Sequence, residues 1–299
     1  MDTHGASGHA VPDREEERQA GVHAAAGERA SEGWAHLRAF FREGCGQLAR
    51  AIAAFREAEL AQRQAASAGD LEVTLMGLSL ALRLRRDREA GRQAVLLAQE
   101  LVNLTRRLRG DAEGLPFRSY LEAAYRDLAD LESGDAAAHT ADLGIGACNR
   151  TLRLARTLRV AQVVPAARAT KAALLLRLAA VRPGADAPRL RREAVRLYES
   201  ALEGWPLRDA EGRAAIQLEM AEMFAADVRT LGRAELLLRA AEILEAAGNR
   251  YLCARAYRIH ARLALAAGRP NALDEVERAA AAFRALGCER EAREVEALV

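Results

Sequence analysis

The stretch Arg191 to Pro206, RREAVRLYESALEGWP, decides how the rest of the chain is read. Ala194, Tyr198 and Ala201 stand four and three residues apart, so they share one face of a helix. Pro206, five residues on, stops the helix just beyond that face. The two alanines let a neighbouring helix come close, and Tyr198 fills the gap between two helices. The same four-three spacing returns at Ala51, Phe55 and Ala58, at Ala234, Leu238 and Ala241, and at Ala272, Val276 and Ala279. Ala194, Ala234 and Ala272 are 40 and 38 residues apart, and Ala51 and Ala94 are 43 apart. A period near 40 with two helices per unit indicates an α-solenoid.

Composition agrees. The 299 residues are 51% hydrophobic but only 4% aromatic, and most of the apolar content is Ala and Leu, the best helix formers. Strand-like runs of Val, Ile, Thr and aromatics are absent, so the chain is expected to be all-α. Turn signals divide it into about six antiparallel helical hairpins. The first joins Trp34, Leu37, Phe40 and Phe41 to the helix of Phe55 across Gly44 and Gly46. The second starts at Asp70, read as an N-cap after Gly69 ends the preceding helix. The third opens at Pro116, after a loop Gly110–Gly114, and carries a long helix to about Leu158. The fourth begins near Pro165 and ends in the stretch quoted above. The fifth pairs Asp209–Val228 with Ala234–Ala247, and the sixth pairs Tyr251–Ala267 with Ala272–Leu286. Glu289–Val299 reads as a capping helix over the last apolar face.

Residues 1–33 hold His4, His9, His23, Pro12 and the acidic cluster Glu15–Glu17, with Val11 and Val22 as the only bulky apolar residues. Such a segment buries too little surface to offset its ordering entropy, so it is expected to be a disordered tail with at most a transient helix around Arg14–Ala26. The repeat domain is then 34–299.

The small, aromatic, small and proline positions of Ala194, Tyr198, Ala201 and Pro206 resemble the second helix of the tetratricopeptide-repeat superfamily. Ala51, Phe55 and Ala58 match three of the four, and Trp34, Leu37 and Phe41 are the best match to the first-helix pattern, with Arg38 where a small residue belongs. The resemblance covers roughly 34–299, and its units exceed the family's length of about 34 residues. It implies a TPR-like solenoid, protein or peptide binding on a concave surface lined by first helices, and no catalysis.

No GxSxG or HExxH occurs, and His36, His139 and His260 are isolated; His260 reads as a core or rim residue. Glu219 and Glu222 read as solvated surface. Gly144-x-Gly146-x-x-Asn149 lacks a third glycine and a preceding strand, so it reads as a helix that lets a neighbour approach. Cys45, Cys148, Cys253 and Cys288 form no CxxC pair and have no His at ligand spacing, so reduced thiols are expected, with no metal and no cofactor. No apolar run spans a membrane and no signal peptide is visible, which together point to the cytoplasm, and the long repeat units look like the divergent repeats of bacterial regulatory and scaffolding proteins.

Charge is uneven. The net charge is +2 overall, but residues 83–196 alone carry +9. Arg150, Arg153, Arg156 and Arg159 recur every third residue, a band drifting about 60° per step around a helix. Arg191, Arg192 and Arg196 follow it. Arg255, Arg258 and Arg262 fall at i, i+3 and i+7, on one face of a first helix that the resemblance would turn into the groove. These ten arginines suit carboxylate or phosphate partners through bidentate hydrogen bonds. The expected function is a non-enzymatic adaptor or scaffold that binds another protein through an acidic segment or peptide. The alternative is a nucleic-acid-binding accessory subunit using the central arginines, against which stands the scarcity of stacking aromatics.

Overall fold

The computed structural model describes the backbone of residues 14–65, 67–206, 209–224 and 234–299, and the side chains of those ranges except 14–20, 222–224 and 234–237. The expectations for His4, His9, Val11 and Pro12, for the side chains of Glu15–Glu17, Glu222 and Ala234, and for a helix end at Val228 lie outside the described residues. Those residues form thirteen α-helices and no strand. They are α1 (Arg14–Glu43), α2 (Gly46–Gln64), α3 (Ala68–Leu84), α4 (Arg88–Gly114), α5 (Arg118–Leu131), α6 (Gly134–Leu158), α7 (Val164–Val181), α8 (Ala187–Gly204), α9 (Ala210–Phe224), α10 (Ala234–Ala246), α11 (Arg250–Ala266), α12 (Ala272–Arg284) and α13 (Glu289–Glu296). No helix among them is long and apolar enough to cross a membrane.

Each helix packs on the next in the chain, as in a helical solenoid. The odd-numbered helices also pack on one another in order, α1 on α3, α3 on α5 and so on to α11. The alanine positions hold this stack together. Ala194, Tyr198 and Ala201 are fully buried, packed with Ala169, Ala172 and Leu175 of α7 and Ile216 and Met220 of α9. Phe55 is equally buried and sits between Gly33 of α1 and Gly77 of α3. A methyl group on either glycine would come within 2.7 Å and 2.2 Å of its ring.

Four sequence expectations are corrected. The ordered chain does not begin at Trp34: α1 already runs from Arg14, and Ala26, Ala30 and Gly33 are buried. Small residues bury little area each, but they let whole helices approach, and hydropathy undervalues that. Asp70 is not an N-cap but lies in the first turn of α3, which starts at Ala68 after Ser67, and Gly69 is helical. The Gly110–Gly114 loop is a kink instead, with Gly110 at φ 78° inside α4. The cysteines are not all reduced: Cys45 and Cys288 form a disulfide, while Cys148 and Cys253 are buried free thiols.

The disulfide follows from a feature the repeat pattern does not show. The succession of helices returns to its start, with α11 packing on α1. The contact is end to end. Phe40, in the last turn of α1, packs against Tyr251 in the first turn of α11 with ring centroids 4.9 Å apart and planes tilted by 48°, and Tyr251 meets Phe283 of α12 at 6.1 Å. The Cys45 N–H donates to Leu286 O at 2.9 Å, and Arg250 reaches Arg42 O. Gly44 has φ 100°, and a side chain there would collide with the Leu286 carbonyl. The terminal helix α13 packs on α12. Its Ala292 and Val295 join the same core as Leu37, Phe55 and Leu82, and Arg290 donates to Arg86 O after α3.

Two outcomes test this packing. Ala201→Leu overfills a closed site and should lower stability by about 1–3 kcal/mol, read as a lower urea midpoint. An unchanged midpoint would contradict the packing. The Cys45–Cys288 bond closes a loop across 243 residues, so its reduction in the presence of a chelator should cost about 2–5 kcal/mol in the same titration.

Candidate arginine-lined binding cleft

Helix α6 ends without a glycine: Arg159 itself takes the left-handed C-cap conformation at φ 57°. The chain then turns through residues 161–163 into α7, with Pro165 in the first turn. This junction opens two adjoining clefts. One, of about 510 Å³, is lined by Gly146, Asn149, Arg150, Leu152, Arg153 and Arg156. The other, of about 430 Å³, is lined by Leu152, Ala155, Arg156, Arg159, Ala161, Val164 and Arg168. They share Leu152 and Arg156, so they form one basic track over an apolar floor.

The structure thus brings Arg150, Arg153, Arg156 and Arg159 together, all exposed, and adds Arg168, which the sequence reading missed. None of these four arginines makes an ion pair among the described residues, whereas neighbouring cations are engaged. Lys171 holds Glu193 at 3.0 Å, Arg182 holds Asp142 at 3.0 Å, and Arg168 donates to Ser200 at 2.8 Å. The reason is legible in sequence after the fact: no Asp or Glu stands between Asp142 and Asp186. Like charges one turn apart on a helix repel by about 0.2–0.5 kcal/mol per pair. An anion laid along the cleft relieves that repulsion.

The other candidate arginines do not join this site. Arg191, Arg192 and Arg196 are exposed on α8 and line neither cleft. The α11 trio does not form one open face. Arg258 is buried and faces Glu294 of α13 at 3.7 Å, Arg255 is half-buried, and Arg262 is exposed. The i, i+3, i+7 spacing was sound, but α13 packs over the middle of that face.

One acidic residue was also misplaced by sequence. Glu219 of α9 is not solvated surface: it accepts from Arg126 of α5 at 2.5 Å. Arg126 also holds Asp127, which Arg83 of α3 approaches at 2.7 Å. Three odd-numbered helices are thereby tied through one charge cluster. Burial disfavours the charge on Asp127, but Arg126 and Arg83 outweigh it and hold its carboxyl well below the usual carboxylate range. His260 is a core residue, 4% exposed, with Nδ1 3.2 Å from Glu275. Gly144 admits Leu174 and Tyr125, as the helix-approach reading expected. Among the described residues, Cys45, Cys288 and Glu291 are the group whose chemistry could hold a metal.

Glu122 lies behind the cleft. It sits on α5 against α6 and is 1% exposed. One oxygen bonds Thr151, next to Arg150, and Oε1 has no partner. Burial pushes its carboxyl up to about 7, with Thr151, Arg118 and Arg150 pulling the other way. The native state then keeps a proton that the unfolded chain, titrating near 4.5, has lost. Stability from this residue is therefore present below pH 4.5 and falls as pH rises towards 7, by about 3 kcal/mol in all. Glu122→Gln should flatten that slope and stabilise the protein at pH 8, as urea titrations at pH 5 and pH 8 would show.

Compared with known proteins, the chain matches no family model and no curated protein, so the reading of the cleft rests on its own geometry.

Proposed function

We propose that this chain is a non-enzymatic, TPR-like adaptor of about six antiparallel hairpins, and that it binds an acidic segment of another protein in a bacterial cytoplasmic assembly. The observation that carries the reading is the row of four exposed arginines, three on α6 and one at its C-cap, that make no ion pair among the described residues. Their cleft has an apolar floor of Leu152, Ala155, Ala161 and Val164. Guanidinium groups over apolar surface suit a peptide that alternates carboxylates with aliphatic side chains. A nucleic-acid strand would be served better by aromatic side chains for base stacking, and neither cleft contains one.

Fluorescence anisotropy with a labelled Glu- and Leu-rich peptide tests the reading. The intact protein should bind it, and binding should weaken as salt rises. Arg153→Glu combined with Arg156→Glu should weaken it by at least about thirty-fold, since a charge-assisted hydrogen bond contributes about 1.5–3 kcal/mol. A single-stranded oligonucleotide that binds more tightly than the peptide would overturn the protein-adaptor reading in favour of nucleic acid.

A further inference from the structure

Cys45 and Cys288 occupy two turns that meet where the helical succession closes. Cys45 stands between α1 and α2, flanked by Gly44 and Gly46, and Cys288 precedes α13 directly after Gly287. Glu291 lies three residues beyond Cys288, in the first turn of α13, which places it on the same side of the helix. The two sulfurs and a Glu291 carboxylate oxygen all lie within 4.8 Å of one another. Among the described residues no other group of three such side chains converges.

Glu291 is the informative member. It is 5% exposed, and its ion-pair partner is Arg290 at 3.1 Å. A disulfide carries no charge and no proton to donate, so the carboxylate gains nothing by facing one. Reduced sulfurs change that. Two thiolates and a carboxylate bring three negative charges, and a divalent cation together with Arg290 cancels all three. Two sulfurs and one oxygen make a set that zinc accepts in tetrahedral geometry, with water in the fourth position. Zinc needs the sulfurs further apart than a covalent bond holds them, and each cysteine adjoins at least one glycine.

We propose that in the reduced protein Cys45, Cys288 and Glu291 bind one zinc-type divalent cation, so that the junction of the first and last hairpins is clasped in either redox state. Reduction adds two electrons and two protons to the disulfide and yields two thiols. With a water-soluble phosphine as reductant, the phosphine takes up oxygen from water and leaves as its oxide. Cation binding then displaces the two thiol protons to solvent, so affinity rises with pH.

The full chain, reduced with the phosphine and freed of metal, would be titrated with cobalt(II) while the thiolate-to-cobalt absorption is recorded. Zinc is then added, and circular dichroism follows helicity. The expected result is one cobalt per chain with a thiolate band that zinc displaces. Oxidised protein and Cys288→Ser should show no band. Glu291→Gln keeps both sulfurs and should bind about ten-fold or more weakly. The proposal is overturned if reduced, helical protein shows no thiolate band, if the band survives Cys288→Ser, or if Glu291→Gln binds cobalt as tightly as the unaltered chain.

Discussion

Tyr251 lies between Phe40 and Phe283, and the architecture depends on this contact more than on any single repeat. A helical succession held only by neighbours could extend or twist, because each unit touches the unit before and the unit after it. The three rings join the first helix to the last hairpin and remove that freedom. Aromatic pairs of this kind add about 0.5–1.5 kcal/mol beyond their buried area. The Cys45 to Leu286 hydrogen bond and the Cys45–Cys288 disulfide then fix the register of the junction. Gly44 is required there for two reasons at once: its φ lies in the left-handed region, and the Leu286 carbonyl occupies the space of a side chain.

Closure also accounts for the placement of charge. Arg83, Arg126, Asp127 and Glu219 come from α3, α5 and α9, yet they meet in one half-buried cluster. Arg126 and Glu219 are long enough to reach between helices that do not adjoin in sequence order, and their mutual pairing offsets the cost of removing them from water. The α6 arginines have no such outlet. They stand in a stretch without acids and face outward along a cleft. In one chain, then, some arginines are consumed by the fold and others stay exposed without an ion pair among the described residues. The difference lies in what the neighbouring helices carry and not in the arginines themselves.

Much of the secondary structure was legible from residue spacing. Ala194, Tyr198 and Ala201 are buried on one face because a period of 3.6 residues leaves them no other arrangement. The bounds of α6, α8 and α12 follow from the same periodicity and from turn residues. The band at Arg150, Arg153, Arg156 and Arg159 was equally legible, because residues on one helix need no tertiary information to be placed relative to each other. The α11 arginines show the limit. Their shared face was deduced correctly, but α13 and its Glu294 cover part of it, and nothing in α11 announces that.

The sequence by itself determined an all-helical chain of paired elements with an arginine row on its sixth helix, because both depend on contacts within one turn or between adjacent helices. Only the tertiary structure decided that Gly33 belongs to the core, that Glu219 points inward to Arg126, and that Cys45 meets Cys288 across 243 residues. Those outcomes depend on the small rotation between successive helices accumulated over the whole chain. Local periodicity constrains each step of that rotation loosely, and only packing along the full length brings the last hairpin back to the first.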